Sequence, residues 1–274
     1  MENRFLDIHK VVGEMSRETW QNLQGFTFSK ALVLSIMAGS FITFGALFSV
    51  LISAGVESTG LNLLLQGFGF SVGFFMVILT GAHLFSETNV VLPASLLNCR
   101  ADELAFGAMK FWGIAILGNI IGAFLVGFFI NYAHDYPQDV LAELTKITDK
   151  KMAYFQGNDY QHWFQAVISG VFGNWLVGMA AVFAIMGKTI IGKYIPVFLA
   201  VSLFVAANFQ HSPANIGYFS LIMPTGLGPG WENAILWNLI PAAIGNILGG
   251  IFLVALPFWY ALSPSEKKEA QRES

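Results

Sequence analysis

The sequence predicts an all-α integral membrane protein: six transmembrane helices forming a 3+3 inverted repeat, with two of the helices interrupted. Three observations carry this. Hydrophobic residues make up 55% of the 274-residue chain and charged ones only 11%, against roughly 25% charged in soluble domains. The apolar runs are long enough to cross a bilayer, which takes about 20 residues. Finally, Leu117-Gly118-Asn119-Ile120-Ile121-Gly122 recurs in the second half as Ile244-Gly245-Asn246-Ile247-Leu248-Gly249. The same offset lays Leu84-Phe85-Ser86 on His211-Ser212-Pro213. Each half holds three spans, an odd number, so the second half sits upside down relative to the first. Broken helices facing one another in an inverted repeat suit the passage of a small solute.

The first 29 residues are charged and contain no cleavable apolar core, so no signal peptide is expected. Phe5, Ile8, Val12 and Met15 fall at three- and four-residue spacings, with Arg4, Asp7, Lys10 and Glu14 elsewhere. That pattern predicts a short amphipathic helix, either lying on the membrane or gating a pore mouth. The transmembrane domain runs over 30–260. Its spans are expected near 30–54, 61–97 (interrupted), 105–133, 161–186, 194–222 (interrupted) and 233–260, so that the repeats cover about 30–133 and 161–260. A polar loop occupies roughly 134–160, and a polar tail follows from 261 to 274.

Six spans place both termini on one side. Of the 14 Lys and Arg residues, Lys146, Lys150 and Lys151 alone fall on the other side. The positive-inside bias therefore predicts cytoplasmic termini and a multi-pass protein of the plasma (inner) membrane. Trp112, Trp163, Trp231, Trp259 and Tyr260 fall at predicted span ends, where amphipathic rings favour the interface. A net charge of −3 gives no indication of a nucleic-acid partner. One cysteine, Cys99, allows neither an intramolecular disulfide nor a Cys-based metal site, and no cofactor is expected.

The breaks are expected at 81–89, followed by Pro93, and at 208–215, which contains Pro213. Irregular backbone at membrane depth survives only where protein or water surrounds it. Pro213 removes a helix donor, while Asn, Ser and Thr side chains offer the loosened backbone other partners. His83, Glu87 and His211 are ionisable groups at membrane depth, the default functional candidates. The Gly118/Gly122 and Gly245/Gly249 pairs predict close helix packing. Asn246, lining a path or capping a break, and Asn174 each need a hydrogen-bonding partner.

Phe204, Phe209-Gln210-His211-Ser212-Pro213-Ala214-Asn215 and Asn238 through Gly250 resemble the formate/nitrite transporter family, as do Gly81-Ala82 and Leu84-Phe85-Ser86 in the first half. The resemblance covers about 28–260. It implies an aquaporin-like protomer within a homopentamer in the lipid bilayer, each protomer conducting a small monovalent anion such as formate, nitrite or hydrosulfide. By position, His211 is the pore histidine, and Phe74, Leu84 and Phe204 are apolar constrictions. Ser86 takes the place of a loop threonine, and Asn174 and Asn246 match a pair of path-lining amides, with Asn215 joining the polar lining. An anion reaching a dry constriction pays for desolvation, and an imidazole that titrates near neutrality is suited to lower that cost.

Two positions depart from the family pattern. His83 stands where a glutamate is usual, and Asn158 where a vestibule lysine is usual, with Asp159 and Glu87 adding negative charge nearby. Lys150 or Lys151 is left to compensate. The altered vestibule keeps open an alternative reading, a channel for ammonium, ammonia or another cationic or neutral solute. A membrane-embedded enzyme is a distant alternative, since the spans hold no His-Glu-x-x-His, paired Asp motif or cysteine nucleophile. The chain also lacks a Gly-x4-Gly-Lys-Ser/Thr ATP-binding motif, so transport is expected to be passive or proton-coupled.

Overall fold

The computed structural model describes residues 5–11, 13–15, 27–98, 101–155 and 159–262. The helices are α1 Phe28–Ser53, α2 Thr59–Thr80, α3 Phe85–Asn98, α4 Ala101–Ala133, α5 Gln138–Lys151, α6 Tyr160–Met186, α7 Ile190–Ala206, α8 Ser212–Ile222 and α9 Trp231–Leu262. Among the described residues there is no β-strand, only an isolated bridge between Phe5 and Gly187. Among the described residues five helices are long and apolar enough to span a bilayer; the sixth span is the shorter pair α7 and α8. The six-span all-α architecture matches the sequence expectation, including both interruptions.

α9 is helical throughout but contains two π-helical segments, Ile235–Leu239 and Gly250–Ala255. Each ends just before a proline, Pro241 and Pro257. A proline supplies no N–H and crowds the carbonyl four residues back. Widening the preceding turn relieves both problems without breaking the span.

The two halves pack alike. A Cβ on Gly122 would lie 2.1 Å from the Ile36 carbonyl, and one on Gly249 would lie 2.2 Å from the Val171 carbonyl. The duplicated glycines thus bring α4 onto α1, and α9 onto α6, backbone against backbone. The offset between the halves is not constant: the partners Ile36 and Val171 lie further apart in sequence than Gly122 and Gly249 do. Most of the difference arises because α7 has 17 residues where α2 has 22.

The N-terminal segment is helical at 8–11 and 13–15. Val11 and Met15 are fully buried against Val90, Ala94, Val182, Val254 and Ala255, and the Leu6 N–H donates to the Met186 carbonyl at 2.8 Å. The segment is therefore folded onto the end of the bundle. Its buried face differs from the expected one: Phe5 is 60% exposed and Val11 is inside. Val12 and the tail from 263 lie outside the described residues.

Within the expected loop 134–160 sits α5, which is amphipathic. It buries Val140, Glu143, Leu144, Ile147, Thr148 and Lys151 along one face. The three- and four-residue spacing of those positions is what makes a helix worth forming there. Glu143 and Lys151 stand out among them as charged.

Candidate functional site

The two breaks are built with the same hydrogen bonds. α2 ends in Gly81, whose φ is 63°, and at the equivalent place in the second half the chain after α7 turns at Asn208, with φ 52°. Glycine and asparagine tolerate this left-handed conformation that ends a helix. In the first break the Asn119 side chain accepts from the Phe85 N–H at 2.9 Å and donates to the carbonyls of His83 at 3.0 Å and Ser35 at 2.8 Å. In the second, Asn246 accepts from the Ser212 N–H at 2.8 Å and donates to the carbonyls of Gln210 at 3.0 Å and Gly170 at 2.9 Å. It also accepts from the Ser212 hydroxyl at 3.1 Å. With both lone-pair sites and both amide hydrogens engaged, Asn246 holds the second break closed on itself. These are the bonds of an amide that caps a break.

Between those ties sits His211, fully buried, at the N-cap of α8. Its Nδ1 accepts the Ala214 N–H at 3.3 Å. A ring nitrogen that accepts an N–H carries no proton of its own, so the proton of the neutral ring sits on Nε2. Nε2 is buried and has no partner among the described residues. The ring lies edge-on to Phe204, centroids 5.3 Å apart. Phe204 belongs to one buried cluster with Phe70, Phe74 and Leu84. The three residues expected at constrictions, Phe74, Leu84 and Phe204, are all fully buried members of that cluster, and Phe204 is the one in ring contact with His211. Leu84 occupies in the first break the place His211 occupies in the second. The short helices α3 and α8 both start at the breaks, and a helix N-terminus carries partial positive charge.

A further charge lies beside the second break. Lys151, the last residue of α5, is buried; its Nζ donates to the Phe209 carbonyl at 3.0 Å and lies 5.7 Å from the Phe204 ring centroid. Among the described residues no carboxylate pairs with it. Burial pushes this ammonium down to about 7 from its ordinary 10.5. A polar network fixes the surrounding backbone. Asn238 donates to the Lys151 carbonyl at 2.7 Å and to Gln210 Oε1 at 2.9 Å. Asn215 donates to Gln210 Oε1 at 2.8 Å and to Asn238 Oδ1 at 2.7 Å, leaving its own buried Oδ1 without a partner. Of the two lysines named as able to compensate, Lys151 is the one buried beside the second break. Lys150 is exposed. Asn158 lies outside the described residues.

The remaining predicted residues scatter. Asn174 is buried, donates to the Ser86 carbonyl at 3.2 Å and leaves Oδ1 unpartnered; the Ser86 hydroxyl is likewise buried and unpartnered. His83 is buried in the first break, its ring bonded to the Ala31 backbone and 4.8 Å from Phe111. Glu87 lies in the first turn of α3. Asp159 caps α6, accepting the His162 N–H at 2.8 Å and facing the His162 ring at 2.7 Å. The His162 N–H, and then its ring, hold the Asp159 carboxyl below its usual range. Trp112, expected at an interface, donates to Asn89 Oδ1 at 2.6 Å. The sequence reading placed Asn119 in its repeated motif and Gln210 and Asn238 in the family motif without giving any of them a site role. The duplicated Gly-Asn motif was the available signal for Asn119; no spacing signalled the other two.

An all-α inverted repeat whose half-helices begin at buried polar breaks defines a membrane transport protein. The formate/nitrite transporter family model matches residues 9–260, and the chain belongs to that family. It is 31% identical over 247 residues to a probable formate transporter of Methanothermobacter thermautotrophicus, covering 84% of this chain and 88% of that one. It is 29% identical over 254 residues to the formate channel FocA of Escherichia coli (strain K12), covering 84% and 85%. Among solved structures, a pentameric formate channel with formate bound superposes with a TM-score of 0.72 at 23% identity, covering 85% of this chain and 96% of that one. An FNT family ion channel does so with 0.73 at 23%, covering 94% and 98%. These two establish likeness of fold. The protein is a multi-pass transporter and not an enzyme.

Proposed function

We propose that the chain conducts a small monovalent anion, formate first and nitrite or hydrosulfide next, passively or with a proton, through a path in each protomer. The observation that carries this reading is the His211 Nε2–H, buried, unpartnered and set against the Phe204 face of a dry cluster. An anion leaving water for that cluster loses its hydration. The Lys151 charge and the N-termini of α3 and α8 offset part of the loss on approach. The Nε2–H supplies a hydrogen bond where water can no longer do so, and a solute that has taken a proton from water at the mouth crosses as its neutral acid. Relatives named as formate transporter and formate channel support formate as the first candidate.

The ammonium alternative rested on a vestibule without a cation. A buried ammonium at Lys151 repels such a substrate and weighs against it. The pentameric formate channel of like fold supports a homopentamer. The uneven spread of Lys and Arg supports a plasma-membrane protein with cytoplasmic termini.

The test is a flux panel in liposomes carrying the purified protein, with protein-free liposomes as baseline. Formate flux well above baseline with ammonium at baseline is expected. Ammonium flux exceeding that of every anion would overturn the proposal.

A further inference from the structure

α5 buries two charged side chains on one face, Glu143 and Lys151, about 12 Å apart along the axis for eight residues at 1.5 Å each. Only Lys151 touches the second break. Glu143 is 6% exposed and lies at the other end, against α2. Its Oε1 accepts from Asn62 Nδ2 at 2.9 Å and from Gln66 Nε2 at 2.8 Å. The two amides are one helical turn apart and are themselves linked, Gln66 Nε2 donating to Asn62 Oδ1 at 2.8 Å. Asn62 also donates to the Ser53 carbonyl at 2.9 Å, which ties the group to the end of α1. The ion-pair partner of Glu143 is Lys146, 3.3 Å from Oε2, with half of its side chain in water.

A carboxylate buried largely on neutral amides is a costly way to fill space, and a leucine of similar volume would fill it at less cost. What a leucine cannot do is fix direction. The apolar stripe of Val140, Leu144 and Ile147 buries the helix but tolerates sliding and rotation. Two directed hydrogen bonds at one end define where the other end falls. At that other end, a single hydrogen bond to the Phe209 carbonyl and one from Asn238 to the main chain hold Lys151.

We propose that Glu143 is a positioning residue: clamped by Asn62 and Gln66, it sets the register of α5 on the bundle and thereby holds the Lys151 ammonium at the second break. The inference rests on the role given to Lys151 in the proposed function, so its test includes a readout independent of transport.

The full-length protein in liposomes is treated with an amine-acylating reagent, and modification of Lys151 is read by mass spectrometry against exposed Lys150. In the wild type Lys151 is protected. In Glu143→Ala the Lys151-to-Lys150 labelling ratio rises about ten-fold or more, since reaction of a buried group follows local opening. Glu143→Gln, which keeps an accepting oxygen for both amides, restores protection. In flux, Glu143→Ala lowers anion transport in the wild-type background but adds nothing in Lys151→Met, because residues acting through one group are not additive. Unchanged protection in Glu143→Ala, failure of the glutamine to restore it, or additive flux losses would each overturn the clamp. If Glu143→Ala does not assemble, Gln66→Ala removes one of the two donors and is read by the same labelling. Flux indifferent to Lys151→Met would overturn the role of Lys151 itself and leave the labelling to decide the clamp.

Discussion

Asn119 and Asn246 do the same work in opposite halves of the chain: each amide accepts one N–H just past its break and donates to the carbonyl two residues before it. The paired distances agree closely, 2.9 and 2.8 Å to the N–H, 3.0 and 3.0 Å to the carbonyl. Irregular backbone at membrane depth is thus satisfied without water.

Asn246→Leu keeps the volume and strands the Ser212 N–H and the Gln210 carbonyl, while the Gly170 carbonyl keeps its bond within α6. Each buried unsatisfied group costs about 1–3 kcal/mol, so a loss of at least about 2 kcal/mol is expected, and a similar loss for Asn119→Leu. Unfolding in mild detergent measures both. A change below about 1 kcal/mol in either would show that the tie is dispensable.

His211→Asn separates the two jobs of the histidine. Asparagine is a good N-cap and can accept the Ala214 N–H in place of Nδ1, but it has no Nε2–H in the same place. Thermal stability is expected to stay near wild type while formate flux falls about ten-fold or more, the loss of one buried charge-assisted hydrogen bond. Flux equal to wild type with stability retained would remove His211 from the path.

Lys151 makes stability depend on pH. In the unfolded chain it titrates at 10.5 and in the folded protein at about 7. Between these values the unfolded state holds the extra proton, so the contribution of Lys151 to stability rises from pH 7 towards 10.5. Lys151→Met lacks that rise and is the more stable protein well below pH 7, where the buried charge is fully present. Anion flux shows the opposite trend: it falls as pH rises through about 7 in the wild type, and this inflection is missing from the variant. Parallel stability curves for the two proteins would contradict the assignment.

Gly122→Ala and Gly249→Ala test the helix crossings. The added carbon would fall 2.1 and 2.2 Å from backbone carbonyls, neither of which can step aside as a side chain would. The spans must part. Destabilisation of about 1–3 kcal/mol is expected for each, the range for overpacked sites. Gly60→Ala, where a Cβ meets nothing within 4 Å, serves as the neutral comparison.

The duplicated Gly-Asn motif and the mirrored polar breaks make the inverted repeat legible in the sequence alone, because repeats of backbone function leave repeats of sequence. His211 is legible for a related reason, as an ionisable ring next to a proline-marked turn at membrane depth. Lys151 is only half legible. It sits in a polar stretch beside Lys150, and nothing local distinguishes the buried lysine from the exposed one; the difference comes from which face of α5 meets the bundle. The buried face of the N-terminal segment escapes the sequence for a similar reason, since Phe5 is engaged through its backbone bridge to Gly187 and not by its ring. Gln210 and Asn238 find each other across the turn between α8 and α9, a contact with no signature in either neighbourhood.

Leu84 and His211 occupy one seat twice over. In both breaks the amide tie grips main-chain atoms on either side of that seat and never the side chain in it. The frame therefore imposes little on what sits there, and the chain seats an aliphatic group in one copy and an imidazole in the other. Scaffold and chemistry are modular at this single position per half. Leu84→His should accordingly keep the Asn119 tie, losing only the apolar packing of Leu84 and burying a polar ring there, giving a protein with a titratable ring on each side of its own pseudo-symmetry axis.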